Sequence, residues 1–143
     1  MPKELRDSTI HNVWVTQPDG PETWCRSIYV YRKRNLGVPI LEVFDMPDPN
    51  VTAGQRNVST VPTQSLMLLN DDLVRRQAKL FADRVKETAG ADPAKQVDLA
   101  YRIALARPPD QKELVVGLEM IQKQGLVDLA HVILNLNEFV YMR

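Results

Sequence analysis

The residues best suited to chemistry fall in one polar stretch, where Arg56, Asn57, Ser59, Thr60 and Gln64 follow one another closely. An arginine set among amides and hydroxyls can bind a carboxylate, a sulfate or a sugar hydroxyl, most readily beside a helix N-terminus. The same groups can instead satisfy backbone donors and acceptors inside a partly buried loop, and that internal role is the favoured one. A second group, Asp45, Asp48 and Asn50, places three oxygen ligands within six residues, as a hard cation would accept. Pro47 and Pro49 restrict how those side chains converge, so turn and cap roles are expected for them instead. Tyr29-Val30-Tyr31-Arg32-Lys33-Arg34 interleaves rings with positive charge, as some nucleic-acid surfaces do, but no basic face extends it. Packed tyrosines and arginines paired to carboxylates are the simpler account. The imidazoles, His11 and His131, and the thiol of Cys25 show no nucleophile-elbow context and make a poor zinc set. No catalytic, cofactor-binding or metal-binding residue is assigned.

Composition narrows the classes further. Lys plus Arg and Asp plus Glu both total 18, which gives no charge argument for a nucleic-acid partner or an acidic membrane. One cysteine excludes an internal disulfide, and also the Cys-x-x-Cys-His run of covalently attached haem, so no cofactor is expected in this chain. No apolar run approaches the ~18 residues of a membrane span. The opening, MPKELRDSTIHNVWV, lacks the apolar core and cleavage site of a secretory signal. At 143 residues, 44% hydrophobic and 25% charged, the chain has the size and composition to build a core.

The elements that must position these residues change character along the chain. Pro18-Asp19-Gly20-Pro21 is a turn, and Arg26 to Arg32 is dense in β-branched and aromatic residues, which predicts a strand. Val13 to Thr16 is a candidate hairpin partner for it. Pro39 to Phe44 reads as a short helix, and 50–62 as loop. Helices then follow to the end. A short one covers Thr63 to Leu69, and a long one runs from an Asp71 cap to about Thr88. On the long helix Val74, Ala78, Phe81 and Val85 form the inner stripe, widened by Leu73 and Leu80. The next opens at Asp92-Pro93 and ends by Pro108-Pro109. A third opens on an Asp110/Glu113 capping box and stops at Gly125, and a last one is expected over Leu126 to Val140. The expected fold is mainly α: a C-terminal bundle of about four helices over 63–143, preceded by a loop-rich segment over 1–62 with one or two short strands, together one domain.

Five segments carry a resemblance: PDGPETWCRSIYVYRKR, LEVFDMPDPNV, RNVSTVPTQSLMLLND, AYRIALARPP and LNLNEFVYMR. From about Pro18 to Arg143 the chain resembles the C-terminal domain of large exported proteins abundant in planctomycetes, domain of unknown function 1553, also called the PSD domain. The resemblance implies an upstream partner domain and a periplasmic or cell-surface parent protein. It also implies a c-type haem module elsewhere in some parents, and a link to sulfatases and polysaccharide breakdown. No catalytic residues are established for the family, so none carries over. Three positions depart from its pattern: Cys25 stands for a common arginine, Asp72 for a proline that often follows Asn-Asp, and Ala106 for a frequent glycine. The family domain begins well upstream of Met1, so this chain is expected to be the C-terminal part of a longer polypeptide.

Two functions are therefore carried forward. The first is a non-catalytic helical packing and interaction module, completed by an upstream domain and leaving apolar surface around Trp14, Trp24 and Ile28. The second is a contribution from the loop between Arg56 and Gln64, with Asp45 or Asp48, to a glycan- or sulfated-glycan-processing site.

Overall fold

The longest helix begins where an aspartate can cap it. In the computed structural model, which describes residues 20, 26–29, 37–48, 50–55 and 59–141, the Asp71 side chain accepts from the Leu73 N–H at 2.8 Å. The same device opens the next two helices. Asp92 accepts from the Ala94 N–H, and Asp110 and Glu113 close a reciprocal capping box, each satisfying the other's backbone donor at 2.7 Å.

We label the helices α1 (Pro39–Val43), α2 (Pro62–Asn70), α3 (Asp72–Ala89), α4 (Pro93–Leu105), α5 (Gln111–Lys123), α6 (Leu126–Leu134) and α7 (Asn137–Val140). The chain divides into two units, Met1–Thr60 and Val61–Arg143. In the second, α3 packs on α6 and α4, α4 on α5, and α5 on α6, closing a ring of four helices to which α2 and α7 attach.

The core sits inside that ring. Val85, Val97, Ala100, Tyr101, Leu129 and Ile133 are buried together, with Phe81, Leu114, Leu118 and Ile121 packed against them. Where α3 meets α6 the contact is made by Ala78, Ala82 and Ala130, small side chains that let the two backbones approach closely. Another close approach joins α4 to α5: a Cβ on Gly117 would lie 2.9 Å from a Val97 methyl, so only glycine fits there without movement.

Three expectations are corrected. Among the described residues there is no strand, and Ser27–Tyr29, expected as strand, is a 3-10 turn closed by the Tyr29 N–H on the Arg26 carbonyl. Strand propensity expresses the fit to a neighbouring strand, and alone it does not hold three residues extended. Val30 to Arg32, and the hairpin partner Val13 to Thr16, lie outside the described residues. Leu73 and Leu80 do not widen the buried stripe of α3; they are exposed, and Ala82 takes the inner place instead. The last helix is two helices. Asn135 turns its side-chain amide onto the His131 carbonyl, competing with the helix's own ladder, and Leu136 is extended.

The end of α4 carries a structural cost. Ala106 ends α4 with φ of 56°, in the left-handed region where a Cβ is strained. Ala106→Gly is expected to stabilise the chain by about 0.5–1 kcal/mol, the relief of strain exceeding the entropy lost by glycine. A denaturant midpoint that fails to rise would contradict this.

Candidate functional site

Asp45 follows α1 with φ of 57° and completes a helix-ending turn. The Met46 N–H reaches the Leu41 carbonyl at 3.0 Å and the Asp45 N–H reaches that of Glu42 at 3.1 Å. Aspartate tolerates this backbone better than most side chains. Its carboxylate turns to Ser59, whose N–H donates at 2.6 Å and whose hydroxyl lies 2.7 and 2.9 Å from the two carboxylate oxygens. Two of the residues singled out from sequence are thus brought together, in a contact internal to the first unit.

Asp48 accepts from the Asn50 N–H at 2.8 Å, the turn role expected of it. Thr60 is exposed, and Gln64 is buried in the second unit, where its amide oxygen accepts from the Tyr141 hydroxyl at 2.6 Å. Arg56 and Asn57 lie outside the described residues. Beside Asp45 and Asp48 is a half-open cleft of about 390 Å³, lined also by Glu42, Met46, Pro47, Val51, Ala53 and Gln55. Among the described residues no three His, Cys, Asp or Glu side chains come together as a metal site would require. The cleft presents acidic groups without a converging set.

The densest polar arrangement was not legible beforehand. Arg107, at the connection between α4 and α5, has all five N–H donors engaged. Its two terminal nitrogens meet the Glu113 carboxylate, each at 2.8 Å. Nε and one terminal nitrogen meet Glu138, also at 2.8 Å, and the remaining bond goes to the Pro108 carbonyl at 3.2 Å. Its guanidinium carbon lies 5.6 Å from the centre of the Tyr101 ring. The capping box hinted at Glu113, but nothing in the sequence marks Glu138, 31 residues from Arg107, as its partner. This knot fastens the α4–α5 connection to α7, and an anion could reach the guanidinium only by displacing a carboxylate.

The electrostatic consequences follow from the pairing. Hydrogen bonds from Arg107 hold the Glu113 carboxyl down to about 2, from an ordinary 4.5, and lower that of Glu138 as well. Burial, and then the Glu113 charge, push the Tyr101 hydroxyl up. A carboxyl depressed on folding contributes stability above its unfolded value and loses it as pH falls toward its folded one. The contribution of Glu113 is therefore complete above about 4.5 and disappears toward pH 2. Glu113→Gln keeps the capping geometry and removes the charge. It is expected to cost about 1–2 kcal/mol at pH 7, after allowance for solvent screening, and to flatten the acid limb between pH 4.5 and 2. Denaturation midpoints across that range check both.

Fold and site together define a mainly helical bundle protein whose densest polar cluster, Arg107 with Glu113 and Glu138, is paired internally. The family comparison says which one. Residues 3–121 match the profile of PSD1, a protein of unknown function (DUF1553), and the chain belongs to that family. The match begins upstream of Pro18 and stops at Ile121, so it takes in four of the five segments quoted above and leaves out LNLNEFVYMR. Comparison with curated proteins and with solved structures gives no match. No helix among the described residues is long and apolar enough to cross a membrane.

Proposed function

We propose that the chain is a non-catalytic packing and interaction module, acting at the C-terminus of a larger exported protein and docking against the part that precedes it. The observation that supports this is the apolar face that α2 leaves outside, while Met67 and Leu68 on its other side are half-buried. Its one buried residue is Gln64, 2% exposed, while Leu66 and Leu69 stand 57% and 45% exposed. Leu73 and Leu80, one side of α3, are exposed as well. A helix that ends at its own domain's surface turns leucines inward and glutamine outward. Neighbouring leucines left on the outside are what a surface awaiting a partner shows. The parent's exported location and its tie to polysaccharide degradation belong to the same proposal and rest on the family resemblance alone.

The double variant Leu66→Gln, Leu69→Gln tests it, since glutamine keeps the helix and removes the apolar surface. In the chain by itself the unfolding midpoint is expected to stay within about 0.5 kcal/mol of wild type, as at other exposed positions. In the parent polypeptide the same pair is expected to open the junction to proteolysis. Unchanged protease resistance there would contradict the proposal.

A further inference from the structure

We infer that Asn50 is a glycan acceptor, the attachment point of an N-linked oligosaccharide on the exported protein. Asn50-Val51-Thr52 and Asn57-Val58-Ser59 are the two Asn-x-Ser/Thr triplets of the chain, and neither has proline in the middle. A transferase asks the same of either triplet. It takes the asparagine amide as nucleophile, reads the hydroxyl two residues on, and draws the backbone into its active site. The local structure separates the two. Ser59 is half-buried, and its hydroxyl and N–H both donate to the Asp45 carboxylate, at 2.7 and 2.6 Å. Drawing that serine into an enzyme breaks both bonds, and bonds to a charged acceptor are among the stronger ones. Asn50, Val51 and Thr52 are all exposed, and so are residues 53–55 after them.

The turn into this segment is local. The Asn50 N–H meets the Asp48 carboxylate at 2.8 Å, and the Val51 N–H meets the Asp48 carbonyl at 3.4 Å. A run of exposed residues without buried apolar contacts opens at far lower free energy than a core does. A bulky, hydrated glycan attached there also meets solvent and displaces no packed side chain. The step itself is a group transfer from an oligosaccharide carried as a polyprenyl pyrophosphate. A bond forms between the sugar's anomeric carbon and Asn50 Nδ2, while the bond from that carbon to the pyrophosphate oxygen breaks. The amide proton passes to a base of the transferase, the lipid pyrophosphate leaves with the electron pair, and nothing is oxidised or reduced. Such transfer takes place on the extracytoplasmic side of a membrane. The assignment therefore rests on the exported location in the reading above; it does not rest on docking.

Mass spectrometry of peptides from the protein purified from its native source, with and without an amidase that releases N-linked glycans, tests the assignment. The peptide holding Asn50 is expected to carry an oligosaccharide mass, and the amidase to remove it and leave aspartate at that position. The peptide holding Asn57 is expected to be unmodified. Protein recovered outside the cytoplasm with Asn50 bare, or with glycan on Asn57 alone, would overturn the assignment and leave the exported reading standing. Protein recovered only inside the cell would overturn both. The whole chain secreted by a glycosylating host gives a second readout, the mobility shift that the amidase abolishes. Thr52→Val is expected to lose that shift, Thr52→Ser to keep it, and Asn57→Gln to leave it unchanged. A shift that survives Thr52→Val, or disappears with Asn57→Gln, would overturn the choice of Asn50.

Discussion

Ile133→Ala is expected to lower the stability of the helical unit by about 3–4 kcal/mol. Ile133 is fully buried, on the face of α6 that meets Val85 of α3 and Val97 and Tyr101 of α4 in one cluster. Truncation removes three carbons from water-free surroundings and leaves a hole walled by side chains from several helices. The loss is thus a transfer term plus a cavity term. With ~80 residues in the unit, a change of that size lowers the thermal midpoint by roughly 15 °C or more. A shift of only a few degrees would mean that α6 is not the central wall of the core.

The second large effect comes from adding atoms. Ala130→Leu places a branched side chain where α6 meets Ala78 and Ala82 of α3, three alanines that are all essentially inaccessible. Phe81, Leu126 and Leu134 already pack around these alanines, so the added atoms must displace them or part the helices, at a cost of about 2–3 kcal/mol. The two substitutions probe the α3–α6 contact from opposite sides, one by emptying it and one by overfilling it. Circular dichroism at 222 nm during denaturation checks both. If Ala130→Leu proved neutral, the close approach of α3 and α6 would be wrong.

Much of the helical half was legible because its signals are local. Asp71, Asp92 and Asp110 each satisfy a backbone donor two or three residues on, so the residues that start a helix also announce it. The inner positions of α4 and α6, among them Val97, Ala100, Tyr101, Leu129 and Ile133, follow from helical spacing in the same way.

What failed depends on partners far along the chain. Periodicity places Leu73 and Leu80 beside the inner stripe of α3, but which flank faces the bundle is set by where α6 lies. Gly117 carries no signal of its own; only the approach of Val97 explains it. Arg107 looks like any surface arginine until α7 brings Glu138 to it. The polar stretch from Arg56 to Gln64 was the strongest chemical candidate. Of its described members, Ser59 is bound to Asp45 and Gln64 to Tyr141. Asp45 gave no sign of its left-handed backbone, because aspartate is common in turns of every kind.

These outcomes share a physical pattern. Polar side chains hold helix ends and segment ends together, while leucines on α2 and α3 remain outside. On the proposed reading, that outward apolar surface is what the preceding part of a longer polypeptide covers.

The most direct measurement is amide exchange over Leu66 to Leu80, compared between the chain alone and the same chain within the longer polypeptide that the proposal calls for. The account predicts that α2 and the first turns of α3 exchange markedly more slowly in the parent, while the amides of Val97 and Ile133 are unaltered. Identical exchange over Leu66 to Leu80 in the two settings would contradict it.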